Sequence, residues 1–154
     1  MKKGNWKTYA FWIGLSEAVG ALAGWLTREG VARFNATALQ PPLSPPEWVF
    51  PIVWGILYAL MGISAARIAR TESGGGLNLF IIQLIMNFFW SLLFFNAGAY
   101  RFAALWLALL LVLVAGMILR FRRADTLAAA LQLPYLLWLA FALYLNIGVW
   151  YLNR

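Results

Sequence analysis

The sequence predicts an all-α integral membrane protein, a bundle of five transmembrane helices, on three observations. Hydrophobic residues make up 64% of the 154-residue chain and charged ones only 11%, whereas a typical soluble domain carries about a quarter charged residues. The apolar residues gather into five runs of the length that crosses a bilayer, about 20 residues each. Most of the charges, together with a proline-rich and a glycine-rich stretch, fall between those runs. The length is that of one domain, so the whole chain reads as a single membrane unit.

The first span covers roughly 8–27. It follows Lys2, Lys3 and Lys7, like the charged start of a signal peptide, but Glu17 interrupts its apolar run and no small-residue cleavage site follows. Ser16, Gly20 and Gly24 form a stripe of small residues along it, which suits either a dimer face or close packing within one chain. Glu17 is the one acidic residue deep within a span, and reads either as a relay or substrate carboxylate or as a protonated side chain bonded to a neighbour. A loop over 28–46 follows, whose Pro41-Pro42-Leu43-Ser44-Pro45-Pro46 stretch is extended or turned and resembles a lid over one end of the bundle.

The second span, 47–69, places Trp54 and Tyr58 one helical turn apart. After the Arg70 to Gly76 break, the third span, 77–97, carries Gln83, Asn87 and Ser91 at successive four-residue steps, with Trp90 and Phe94 on adjoining turns. The fourth, 102–119, is apolar throughout. The fifth, 126–151, aligns Trp138, Ala142, Leu145, Asn146 and Val149 on one face. Each of these amides and indoles has an ordinary explanation as helix glue or interfacial anchor. Three helices that each turn large rings and amides inward predict a pocket instead, because Trp54, Tyr58, Trp90 and Trp138 are too bulky for tight helix packing. The last residues, Val149 to Arg154, read as an interfacial anchor.

The chain has no cysteine and no histidine, which excludes disulfides, thiolate chemistry and the usual zinc and histidine-ligated haem sites. The net charge of +7 does not point to nucleic acid, because the basic residues lie between apolar runs, where they set topology. Five spans put the termini on opposite faces. Lys2, Lys3, Lys7, Arg67, Arg70, Arg120, Arg122 and Arg123 fall on the N-terminal face, against Arg28, Arg33, Arg101 and Arg154 on the other. This bias places the N terminus in the cytoplasm, and a helical bundle implies a bacterial inner membrane.

Three blocks resemble those of a known family. The second span reads Pro45-Pro46-Glu47-Trp48-Val49-Phe50 followed by Trp54, Leu57 and Tyr58; the third reads Gln83-Leu84, Asn87, Trp90, Phe94 and Phe95; the fifth reads Pro134-Tyr135, Trp138, Ala140-Phe141-Ala142 and Leu145-Asn146. In this order and spacing they are similar to the TspO/MBR tryptophan-rich sensory proteins, which include the mitochondrial translocator protein, from about residue 14 to the end of the chain. The resemblance implies a five-helix bundle, commonly a homodimer in lipid, with a cavity under the first loop. That cavity would bind porphyrins and other hydrophobic molecules, sterol-like ones included, with protoporphyrin IX or a related tetrapyrrole as ligand or substrate and no covalently bound cofactor.

By position the resemblance implies a ligand shell of Trp54, Tyr58, Asn87, Trp90, Phe95, Trp138, Ala142, Leu145 and Asn146. It also implies light-dependent porphyrin breakdown at Trp54 and Trp138. The first loop departs from the family pattern: Leu43 stands where an aromatic residue precedes the Pro-Pro pair, Gln40 where a lysine is usual and Asn35 where a tyrosine is. A transporter or exporter of porphyrins is the alternative; it needs alternating access, and no internal repeat is visible. A purely structural membrane subunit would have no saturable ligand.

Overall fold

The computed structural model describes residues 5–154; Lys2 and Lys3, counted in the topology argument, lie outside them. The chain forms α1 (Asn5–Thr37), α2 (Val49–Ala69), α3 (Leu77–Ser91) continuing into a π-helical turn (Leu92–Asn96), α4 (Tyr100–Ala124), α5 (Thr126–Leu131) and α6 (Leu133–Leu152). With α5 and α6 counted as one span, five helical segments are long and apolar enough to cross a membrane. Helices satisfy their own backbone groups, as hydrocarbon requires. Ile52, Ile56, Ile85, Leu105, Leu109 and Val112 are exposed on the outside, because lipid is as apolar as the interior.

The boundaries depart from the sequence expectation in three places. α1 does not stop at Arg28 but runs on to Thr37, so the expected loop of 28–46 is a linker of 38–48. Arg28 and Arg33 end the apolar run, not the helix, since arginine is a good helix former. Arg28 donates to the Trp25 carbonyl at 2.7 Å and lays its guanidinium over the Trp25 ring. α4 likewise continues through Arg120, Arg122 and Arg123 to Ala124. The fifth span is not one helix. It breaks at Gln132 because Pro134 has no N–H to donate and its ring crowds the carbonyl one turn back.

Asp125 fills the corner between α4 and α5. Its carboxylate accepts from the Ala128 N–H at 3.0 Å and pairs with Arg67 of α2 at 2.8 Å. Burial raises its pKa, but the Ala128 N–H and the Arg67 guanidinium outweigh that and hold the carboxyl below its ordinary range.

α1 lies along α2, and its second half meets the π turn. Gly30 permits that approach, because a Cβ there would meet the Phe95 carbonyl oxygen at 2.6 Å. α4 packs one face against α3, α5 and α6, where it buries Leu107, Leu110, Met117 and Phe121. The small-residue stripe of α1 divides. Ser16 is buried and Gly20 lies under the Tyr58 ring, which a Cβ would strike, while Gly24 faces open space. Gly20 therefore serves packing within the chain.

The 38–48 linker is strapped to α6. Asn153 pairs with both backbone groups of Leu39, at 2.9 and 2.8 Å, and the Tyr144 hydroxyl donates to the Pro42 carbonyl at 2.8 Å. Pro41 is buried on Gly148, where a Cβ would lie 2.6 Å from the proline ring.

Candidate functional site

The α2 backbone packs closely on α5 but barely approaches α6. Below the linker these two helices diverge, and aromatic rings bridge the space between them. Trp54 and Trp138 meet edge to face, with centroids 6.5 Å apart and planes at 89°. Phe50, one turn above Trp54, lies 5.9 Å from Trp138, and Tyr135 lies 6.3 Å from Trp54. From Trp138 the series continues to Phe141 at 5.5 Å and on to Tyr144 at 6.2 Å, the residue that holds the linker. Trp54 and Trp138 are half-buried. The space between α2 and α6 is lined by apolar, aromatic rings in mutual contact, and the linker above is tied to α6.

Behind the rings, on the side of α3, paired polar groups step along the bundle from Gln83 and Tyr135 up to Trp90 and Asn146 near the linker. Asn87 donates to the Tyr58 hydroxyl at 3.0 Å, and the Tyr135 hydroxyl donates to Gln83 Oε1 at 2.7 Å. Trp90 Nε1 donates to Asn146 Oδ1 at 3.0 Å, while Asn146 Nδ2 donates to the Tyr100 carbonyl at 2.8 Å. All five side chains that form these bonds on α3 and α6, namely Gln83, Asn87, Trp90, Tyr135 and Asn146, are buried. Groups bonded this way are satisfied without water, as the membrane interior demands.

The expected ligand shell therefore falls into parts. Trp54 and Trp138 meet between α2 and α6, with the Tyr58 ring tilted 32° to that of Trp54 at 5.6 Å. Ala142 is buried and Leu145 half-buried on the same helix as Trp138. Asn87 turns its amide to Tyr58, while Trp90 and Asn146 bond to each other nearer the linker. Phe95 is apart: the π turn carries it into a second aromatic group with Phe34 at 5.5 Å and Trp90 at 6.2 Å. It borders a cleft of about 370 Å³ between the end of α1 and the π turn.

Sequence reasoning passed over Phe50, Tyr135 and Phe141 as site residues, although each lies three or four positions from Trp54 or Trp138 and so shares its helix face. It also read Asn153 only as part of an anchor. Glu17 is half-buried on α1 and makes no ion pair among the described residues. Among those residues no three metal-ligating side chains come together.

A five-helix membrane bundle with tryptophans from two helices converging beneath a strapped linker defines a membrane protein with an apolar, aromatic site. A model of the TspO/MBR family matches residues 12–152. The chain is 36% identical to tryptophan-rich protein TspO of Chlorobaculum tepidum over 156 residues, covering 95% of this chain and 96% of that one. It is 36% identical over 115 residues to the tryptophan-rich sensory protein of Cereibacter sphaeroides, with 74% and 73% covered. With the human translocator protein it shares 34% identity over 145 residues, with 88% and 85% covered. The chain belongs to the TspO/MBR family.

Proposed function

We propose that this protein binds protoporphyrin IX or a related tetrapyrrole in the cleft between α2 and α6, and that light drives breakdown of the ligand beside Trp54 and Trp138. The observation that carries this reading is the Trp54–Trp138 pair, 6.5 Å apart across two helices whose backbones diverge. A tetrapyrrole is flat, largely apolar and light-absorbing, and indole faces and edges suit it. Tyr58, Ala142 and Leu145 serve as walls, Asn87, Trp90 and Asn146 as the back on the side of α3, and Phe95 as the far margin. The 38–48 linker is the lid.

In this reading an excited porphyrin exchanges an electron with a neighbouring indole, or passes its energy to oxygen next to it. The chain works as a homodimer, in a bacterial inner membrane, with its N terminus in the cytoplasm. Supporting that orientation, Arg70 sits over the Tyr9 ring, so the ends of α1 and α2 that carry Lys7, Arg67 and Arg70 share one face.

The test is loss of protoporphyrin absorbance under light with oxygen, in purified protein. Trp138→Phe and Trp54→Phe each keep a flat ring that is harder to oxidise, and should slow bleaching more than they weaken binding. Trp6→Phe and Trp12→Phe, on α1 outside the cleft, should bleach at the wild-type rate. Equal rates in all four variants would leave the tryptophans as walls of a receptor or carrier, and a liposome flux assay would then separate those two.

A further inference from the structure

A groove of about 390 Å³ runs along the outer side of α4, away from the aromatic cleft. It starts against Leu79, in the first turn of α3, and is walled by Val112, Leu113 and Leu119 of α4. Its floor is Gly116, where a Cβ would meet nothing within 4 Å. Arg120 and Arg123 close it. These α4 positions recur at three- and four-residue steps, so they form one continuous stripe.

The dimensions and charges say what fits. Val112 to Arg123 is an advance of eleven residues, about 16 Å along a helix, or roughly one leaflet of a 30 Å hydrocarbon core. The apolar walls thus lie at the depth of acyl chains and the arginines at the depth of headgroups. Both arginines are exposed. Among the described residues the one ion pair is Arg67–Asp125, and Asp125 also holds the Ala128 N–H, so that carboxylate is committed elsewhere.

Arg120 is set in place by the glycine turn before α3: a Cβ on Gly75 would lie 3.6 Å from its Nε, and one on Gly76 would press on its Cγ at 3.0 Å. Gly76, at φ 104°, begins α3 without a side-chain cap. The positive end of that helix therefore adds to the field of the two guanidinium groups.

We infer that this groove binds one anionic phospholipid, with an acyl chain over Gly116 and the phosphate between Arg120 and Arg123. A zwitterionic lipid brings its own ammonium group to the same place and gains less from the arginines.

Native mass spectrometry of the full chain in detergent, titrated with phosphatidylglycerol or phosphatidylcholine, tests this. Phosphatidylglycerol should be retained preferentially. Each arginine near a membrane surface strengthens anionic-lipid binding about fivefold, so Arg120→Gln with Arg123→Gln should weaken phosphatidylglycerol binding about 30-fold. Gly116→Leu fills the groove without changing a charge, at a position where a Cβ meets nothing within 4 Å, and should also reduce retention. Arg122→Gln, beside the groove on the same helix, should bind as wild type, and circular dichroism should show all variants folded. Equal retention of the two lipids, equal binding by every variant, or displacement of the lipid by excess inorganic phosphate would each overturn the inference.

Discussion

Replacing Asn146 by leucine removes two hydrogen bonds at once, one buried and one partly buried. Its Oδ1 accepts from Trp90 Nε1 at 3.0 Å and its Nδ2 donates to the Tyr100 carbonyl at 2.8 Å, so this one side chain of α6 ties the end of α3 to the start of α4. Side-chain hydrogen bonds between membrane helices contribute about 0.6 kcal/mol on average and up to about 1.7. Leucine is similar in size, so cavity formation adds little, but it leaves the buried indole N–H without a partner, while the Tyr100 carbonyl keeps only the N–H of its own helix. Two such bonds together mean that Asn146→Leu should cost about 1–3 kcal/mol.

Unfolding in mixed micelles with increasing dodecyl sulfate, followed by circular dichroism, measures that cost. Trp90→Phe breaks only one of the two bonds and should cost about half as much in hydrogen bonding. The double variant should show a coupling of about 0.6–1.7 kcal/mol between the sites. A loss below about 0.5 kcal/mol, or no coupling, would refute the view that the buried amides are structural ties between helices, and would return Asn146 to the role of a free ligand-binding group.

Asp125→Ala should cost about 1–2 kcal/mol, since it removes the cap of α5 and orphans Arg67. Because the native carboxyl pKa is depressed, its stabilisation is fully present above the unfolded value. The stability gap to wild type should therefore hold steady from pH 5 to 8 and close as pH falls below about 4. The glycines of α1 should behave oppositely to each other. Gly20→Leu drives a side chain into the Tyr58 ring and should lower the thermal midpoint or block folding, whereas Gly24→Leu enters open space and should leave the fold intact. If Gly24 lies on the dimer face, crosslinking of Gly24→Leu will show more monomer; an unchanged dimer fraction places that contact on another helix.

How much of this was legible follows from what each feature depends on. Hydropathy alone locates five spans, because length and apolarity are local properties. Where helices end is less local: Arg28, Glu29 and Arg33 stop the hydrophobic run, but α1 emerges from the apolar layer still helical and is ended only as the Pro41 segment approaches. Pro134 was visible as a breaker, and a single 126–151 helix ignored it. The π turn at Leu92–Asn96 leaves no mark in the pattern, yet it rotates Phe94 and Phe95 toward Phe34 and away from the Trp54–Trp138 cleft. Periodicity put Asn87, Trp90 and Asn146 on inward faces. It could not say that Tyr58, Trp90 and Tyr100 would be their partners, since those pairings depend on how the helices are arranged. The strap from Asn153 to Leu39 spans 114 residues and has no local signal at all.

The most direct test of the central claim is a protoporphyrin titration in detergent, read by Soret absorbance, on wild-type protein and on the Trp54→Leu, Trp138→Leu double variant. Each well-placed aromatic contact contributes about 0.5–1.5 kcal/mol beyond its buried area. The account therefore predicts saturable binding to wild type and a Kd raised about tenfold or more in the double variant, with Trp6→Leu, Trp12→Leu unchanged. A double variant that binds protoporphyrin as tightly as wild type, or a wild type that never saturates, would contradict it.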